Sequence, residues 1–175
     1  MDKEAIVLRI TQNHNDFLDY MNTLSDSDFN YSANKEKWTA GQEMLHIDKS
    51  IAPLIKAFKM PKLALRASFG LANRPSKSYD ELIEKYKNKL NNTQVALGRF
   101  APKKEGVPEK EDLIEKLSQR VEKLTNLIAK FKEKELDKYI LPHPLLGKLT
   151  LREMLYFTAY HVNHHLNNSK NNLNK

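Results

Sequence analysis

Cysteine is absent from the 175 residues, and glycine and proline are scarce, with five and seven copies. Without cysteine there is no disulfide, thiolate nucleophile or sulfur ligand, so a metal site must use histidine, aspartate or glutamate. Sheet proteins need frequent turns, which favour glycine and proline, so their scarcity favours long helices. No apolar run approaches the roughly 20 residues that cross a bilayer, and the start does not resemble a signal peptide. We therefore expect a cytoplasmic protein without membrane contact.

Length predicts a single domain, spanning residues 1–175, and the charge raises the question of nucleic-acid binding. The composition is 40% hydrophobic and 29% charged, which is typical of globular proteins. The net charge is +7, and Lys49–Lys77 contains seven basic residues and no acid. A nucleic-acid-binding protein is therefore one alternative. However, this segment lacks the interleaved aromatic residues and glycine loops of RNA-binding modules, and we do not favour that function.

Hydrophobic periodicity predicts an all-α fold. Apolar residues recur at helical spacing in several segments, and Leu113, Leu117, Val121, Leu124 and Ile128 form the stripe of a bundle helix. We predict a four-helix bundle with an additional helix in the central connection. The predicted helices cover residues 4–24, 40–58, 78–97, 109–131 and the chain from 151 onward.

Several local signals set the expected ends of these helices. Capping boxes begin at Thr39, Ser78 and Thr150, each followed three residues later by Gln or Glu. Pro53 should kink the second helix or divide it near residues 49–53. We expect a loop at LPHPLLGK, before the last helix, and fraying of the Asn-rich end.

The last helix carries His161, His164 and His165. Positions i and i+4 lie side by side on a helix, so the His161 and His165 imidazoles can converge on one ion. Their pair lies at the flank of the apolar stripe, and His164 lies closer to solvent. Arg152 marks the exposed face, together with Asn163 and Lys170.

A stable metal site usually has at least three protein ligands, and His46 on the second helix is the natural third. It shares a row with Glu43, Ser50 and Ala57, next to the apolar stripe, as expected of a pocket lining. Buried histidines are more often hydrogen-bonded core residues than ligands, however, so this pattern alone does not establish an enzyme.

The remaining candidates have two interpretations each. Glu43, one turn before His46, is either a catalytic general base or hydrogen-bonding partner of a ligand, or a residue that complements the helix dipole. His143 lies in a Pro-flanked loop that either folds over the pocket or is merely rigid. We expect His14 to be structural or exposed to solvent.

Two segments resemble the DinB superfamily, and its YfiT-like metal-dependent hydrolases in particular. The first is Trp38-Thr39-Ala40-Gly41-Gln42-Glu43-Met44-Leu45-His46, which matches a Trp-Thr opening followed by a metal-binding histidine. The second is His-x-x-His-His at 161–165, preceded by HPLLGKLTLREMLYF. The two segments occur in the order and on the helices that this family has.

The resemblance implies a four-helix bundle, often dimeric, with His46, His161 and His165 as ligands of a divalent ion such as zinc or nickel. It also implies hydrolysis, or transfer of a low-molecular-weight thiol such as bacillithiol, on a small-molecule substrate. Three neutral histidines would leave coordination positions open for water or a thiol. The alternative is a bundle that binds a metal without catalysis, or serves as a stress-response protein.

Overall fold

The computed structural model describes residues 1–34, 37–91, 100–103 and 106–173. They form a mainly helical fold with one small β-hairpin. Its elements are α1 (Lys3–Thr23), α2 (Asp26–Phe29), α3 (Ala40–Lys59), α4 (Lys62–Phe69), α5 (Tyr79–Asn91), α6 (Lys110–Ala129), α7 (Glu133–Lys138), β1 (Ile140–His143), β2 (Gly147–Thr150) and α8 (Leu151–Leu173).

Four long helices form the predicted bundle. Helix α3 packs on α6, α6 on α1, α1 on α8, and α8 on α3, which closes the ring. Helix α5 lies outside it, against α8, and together with α4 it occupies the connection between α3 and α6. The all-α fold class is confirmed. The predicted continuation of α5 from residue 92 to 97 lies outside the described residues.

The apolar stripes predicted from sequence face the core. All five residues of the α6 stripe are buried, as are Leu151, Leu155, Val162 and Leu166 of α8. The three capping boxes also form: for example, the Thr150 amide donates to Glu153 Oε2 and the Glu153 amide donates to Thr150 Oγ1. The starts of three helices and the apolar faces of α6 and α8 were thus predictable from local spacing.

Helix α3 continues through Pro53. Of the two predicted effects of this proline, the division of the helix is therefore wrong, and the kink stays a prediction. Proline lacks an N–H and leaves the carbonyl four residues earlier without its helical partner. That carbonyl belongs to Lys49, and both residues lie toward the surface, where water can solvate it. The buried residues Ile47, Ile51 and Leu54 hold the helix to the core on both sides of the proline.

The segment between α6 and α8 is more ordered than predicted. A short helix, α7, follows α6, and the expected loop is an antiparallel hairpin in which Leu141 pairs with Leu149. Both leucines are buried, so the hairpin is held by its contact with the helices rather than by strand length. Gly147 has φ 78°, a conformation that favours glycine, where the second strand begins. The short helix α2 was also not predicted.

The expected exposure of Arg152 is wrong. Its side chain is buried, and its Nε donates to Asp137 Oδ1 at 2.6 Å. Its Nη2 donates to Glu133 Oε1 at 2.6 Å. Both acids belong to α7, which the sequence pattern did not predict, so the partners that allow this charge to be buried were not recognised.

The predicted fraying of the C-terminus is also wrong for the described residues. Helix α8 extends to Leu173, and Ser169 and Asn172 are buried on its inner side. The Asn172 amide group bonds to the segment before α3, as described below. Among the described residues, none of the helices combines the length and the apolar character needed to cross a membrane.

Candidate metal centre

The fold brings His46, His161 and His165 together. His46 lies on α3 and the other two lie one turn apart on α8. The His161 Nε2 atom is 3.3 Å from His46 Nε2 and 2.9 Å from His165 Nε2. One ring nitrogen from each residue lies within 4.8 Å of the others, and all three residues are buried. This cluster could therefore bind a metal ion.

The other nitrogen of His46 is held by the backbone. His46 Nδ1 lies 2.9 Å from the carbonyl oxygen of Phe100. A carbonyl oxygen can only accept, so Nδ1 carries the proton and Nε2 presents a lone pair to the cluster. This is the arrangement in which metal-binding histidines are usually held.

His165 is oriented by a carboxylate. Its Nδ1 forms a short hydrogen bond with Glu43 Oε2, one turn before His46 on α3. With Glu43 ionised, Nδ1 donates and the Nε2 lone pair of His165 also points into the cluster. Burial raises the pKa of Glu43 to about 7, and the nearby imidazole of His46 opposes this shift.

The donor set fits a divalent cation. His161 Nε2 faces lone pairs on both His46 and His165, and it can donate only one proton to only one of them. A cation would accept all three lone pairs. Metal–nitrogen distances are about 2.0–2.1 Å. Two ligand nitrogens would then be about 3.3 Å apart if the nitrogen–metal–nitrogen angle is tetrahedral, and about 2.9 Å apart if it is a right angle. The two observed separations match these values.

Burial keeps these imidazoles neutral. It lowers the pKa of His46 to about 4 and that of His165 to about 3, and it holds the pKa of His161 well below its usual value. The other histidines of the cluster lower the pKa of His46 and His161 further, because their charges would repel. Neutral imidazole is the form that binds metal ions, so the site requires no deprotonation at neutral pH.

Aromatic rings enclose the cluster. The half-buried Trp38 ring stacks on His165 with centroids 6.2 Å apart, and its centroid is 5.2 Å from that of His46. On the other side, Phe157 stacks on His161 at 4.5 Å, and the buried Tyr86 contacts Phe157 at 5.2 Å. These apolar walls lower the local dielectric, which strengthens charge interactions at the site.

The other three histidines lie outside the cluster. His164 is half-buried beside Tyr86, as its predicted position closer to solvent implies. His143 Nδ1 accepts from the amides of Leu145 and Leu146 in the hairpin turn. The His143 ring contacts Phe157 at 4.3 Å, so it also supports the wall next to His161.

His14 is buried in α1, where its Nδ1 donates to the carbonyl of Ile10 at 2.7 Å. It has a structural role, in agreement with one of the two predictions for this residue.

The basic stretch is partly neutralised by acids from other parts of the chain. Lys62 pairs with Glu135 at 2.5 Å, and Arg74 pairs with the fully buried Glu153 at 2.6 Å. Two of the seven cations are therefore engaged, which the linear distribution of charge did not indicate.

Sequence reasoning missed two groups that hold the ligands. One is the Phe100 carbonyl, which no sequence pattern marks because every residue has one. The other is the Trp38 ring, which belongs to the motif that was recognised but was given no role. Its position eight residues before His46 was the available signal.

The class of protein follows from the fold and the site: a helical bundle with a buried three-histidine cluster between two of its helices. The chain matches the family model of the DinB superfamily over residues 9–168 and belongs to this superfamily. It is also 26% identical, over 147 residues, to the uncharacterized protein YuaE of Bacillus subtilis (strain 168), a match that covers 84% of each chain. No solved structure gives a significant match.

Proposed function

We propose that this protein is a metal-dependent enzyme in which His46, His161 and His165 hold a divalent ion, zinc or nickel. The reaction is hydrolysis, or the transfer of a low-molecular-weight thiol, on a small-molecule substrate. One observation carries the proposal: three neutral imidazoles direct their Nε2 atoms at a common point, while the Nδ1 atoms of His46 and His165 are engaged elsewhere. A hydrogen-bonded core would account for only one of the two contacts of His161 Nε2, because this nitrogen carries at most one proton.

A bound ion would act as a Lewis acid and lower the pKa of a coordinated water or thiol. The chain's own residues hold and surround it. Three protein ligands leave at least one position open for a substrate, whereas a closed structural site has four. Phe157 and Trp38 keep water away from two faces of the ligands. Because the chain has no cysteine, no protein sulfur competes with a substrate thiol.

Glu43 supports the site through His165. Of the two functional roles considered for this residue, its hydrogen bond with His165 Nδ1 favours an orienting role. A hydrogen-bonded carboxylate raises the basicity of a ligating imidazole and fixes its ring. We therefore propose Glu43 as a positioning residue, and its direct participation in proton transfer stays a hypothesis.

Metal analysis tests the binding part of this proposal. Purified wild-type protein loaded with zinc or nickel should retain about one ion per chain after desalting. His46→Ala and His161→Ala should each lose most of it, since two imidazoles form a weak site. His164→Ala is the matched control, because His164 lies on the same helix but outside the cluster, and it should retain the ion. Full metal retention by both ligand variants would overturn the assignment.

Turnover tests the catalytic part. Wild-type protein, metal-free and metal-loaded, is incubated with monochlorobimane and a panel of low-molecular-weight thiols, and separately with ester and amide substrates. Metal-dependent conjugation that His161→Ala abolishes would support thiol transfer, and metal-dependent cleavage would support hydrolysis. Tight metal binding with neither activity would favour the alternative of a non-catalytic metal-binding protein.

A further inference from the structure

Phe100, Pro102 and Val107, which precede α6 in the chain, lie along the beginning of α3. Val107 packs so closely on Gly41 that a Cβ atom at this glycine would lie 2.8 Å from Val107 Cγ1. The Pro102 carbonyl accepts from Gln42 Nε2 at 3.1 Å, and the Phe100 carbonyl accepts from His46 Nδ1 at 2.9 Å. Contacts with three positions of α3 thus hold these three residues next to a proposed metal ligand.

Gln42 uses both ends of its amide group. Its Oε1 accepts from the Thr39 amide at 3.1 Å, which completes the capping box of α3. Its Nε2 donates to the Pro102 carbonyl, and the residue is only 8% exposed. Capping boxes accept Glu as readily as Gln at this position, because only the oxygen is needed. The nitrogen of Gln42 therefore does something that capping does not require.

That nitrogen is linked to His46 through a short piece of backbone. Pro102 is only two residues from Phe100, so fixing one carbonyl restricts where the other can lie. The Phe100 carbonyl in turn decides which nitrogen of His46 carries the proton. Without this acceptor, His46 would be free to adopt the tautomer with the proton on Nε2, and this nitrogen, which faces the cluster, could then not bind a metal ion.

We propose that Gln42 is a positioning residue of the metal centre: by holding the Pro102 carbonyl, it places the Phe100 carbonyl that orients His46. This inference rests on the proposed function where it is tested by zinc affinity, because that measurement requires the three histidines to bind the ion. It also makes a statement about the metal-free protein, namely that His46 is held with its proton on Nδ1.

Gln42→Glu tests the proposal. The new side chain keeps an oxygen for the Thr39 amide but replaces the donor to Pro102 with a second oxygen, which repels a carbonyl. Zinc affinity is measured at pH 8 by competition with a chromophoric chelator, and it should fall about tenfold or more, the usual effect of losing such a support. An added negative charge would by itself attract zinc, so a loss cannot be a simple charge effect. Gln42→Met, which is uncharged, should show the same loss.

Thr39→Ala is the matched control. It removes the hydroxyl that accepts a hydrogen bond from the backbone N–H of Gln42. The side chain of Gln42 can still donate to the Pro102 carbonyl. Thermal stability should fall, as it does when a helix cap is lost, while zinc affinity stays within about twofold of wild type. Circular dichroism confirms that each variant is folded before it is compared.

Nitrogen-15 NMR of the metal-free proteins gives a second readout. His46 should be the Nδ1–H tautomer in wild type and in Thr39→Ala, and a mixture of tautomers in Gln42→Glu. If both Gln42 variants bind zinc as tightly as wild-type protein and keep His46 in the Nδ1–H tautomer, the inference is overturned and the proposed function is unaffected. If wild-type protein binds neither zinc nor nickel, the proposed function fails, and the tautomers of the metal-free proteins still decide the inference.

Discussion

Glu43 and His165 form a buried carboxylate–imidazole hydrogen bond between α3 and α8. The carboxylate contacts Nδ1, so the opposite nitrogen, Nε2, is left for the cluster. Glu43 also lies one turn before His46, so a single turn of α3 supplies one proposed ligand and the partner of another. This pairing ties the geometry of the candidate site to the packing of α3 on α8.

Replacing Glu43 should weaken metal binding in two steps. Glu43→Gln keeps an oxygen that can accept from His165 Nδ1 but removes the charge, and we expect about a tenfold loss of zinc affinity. Glu43→Ala removes both, and the loss should approach about a hundredfold. Competition with a chelator measures both constants. Zinc binding by Glu43→Ala as tight as that of wild type would show that the carboxylate does not support the ligand.

Trp38 should report on the site by fluorescence. It is the only tryptophan of the chain, and its ring lies against His46 and His165. A divalent charge held by these imidazoles changes the electric field at the indole, so emission should change on zinc addition and be quenched by nickel. Titration should saturate at about one ion per chain.

His161→Ala is the informative control for this experiment. The substitution removes a proposed ligand but neither of the two imidazoles that Trp38 contacts, so it should abolish the response while leaving the emission of the metal-free protein nearly unchanged. A response of equal size in His161→Ala would place the ion elsewhere.

The sequence predicted what local spacing encodes. The helical stripes, the three capping boxes and the convergence of His161 and His165 all depend on residues three or four positions apart. Helical spacing placed His46 beside the apolar stripe of its helix, and the family resemblance implied that it is a ligand, but its proximity to His161 depends on the packing of α3 against α8. No spacing rule predicts such a distance between residues 115 positions apart.

The errors share a cause, which is that tertiary contacts overrode local tendencies. Arg152 is buried because α7 places two acids beside it. The hairpin has strands of four residues, too short for a clear alternating pattern, and exists because its leucines are buried under the helices. The Phe100 carbonyl that holds His46 has no signature in sequence at all.

His14 should make stability depend on pH. Burial lowers its pKa from 6.5 to about 4 in the folded protein. Between these values the unfolded chain binds more protons than the folded one, so the free energy of unfolding decreases as pH is lowered from about 6.5 to about 4. A shift of this size corresponds to about 3 kcal/mol.

The comparison with His14→Leu isolates this contribution, because the other buried histidines are present in both proteins and contribute equally to the pH dependence of their stability. We measure urea unfolding from pH 7 to pH 4.5 with a chelator present. The free energy of unfolding should decrease less with falling pH for His14→Leu than for wild type, although the variant is less stable than wild type at pH 7. Parallel pH curves for the two proteins would contradict the assignment of a buried, neutral His14.

The C-terminal end of α8 secures the segment that carries Trp38. Asn172 Nδ2 donates to the carbonyls of Tyr31 and Trp38 at 3.1 and 3.2 Å, and its Oδ1 accepts from the Ala33 amide at 2.9 Å. Asn172 is 4% exposed. A residue near the terminus therefore fixes the backbone next to the candidate site.

Asn172→Asp should separate these roles. The carboxylate can still accept from the Ala33 amide, but it cannot donate to the two carbonyls and instead repels them. We expect a loss of about 2 kcal/mol in the free energy of unfolding, since the bonds from Asn172 Nδ2 to the two half-buried residues are lost and replaced by repulsion, together with a shift in Trp38 emission. Asn171→Asp makes the same charge change at an exposed neighbour and should cost less than about 0.5 kcal/mol. Equal losses in the two variants, measured by urea unfolding, would mean that the added charge rather than the broken bonds is responsible.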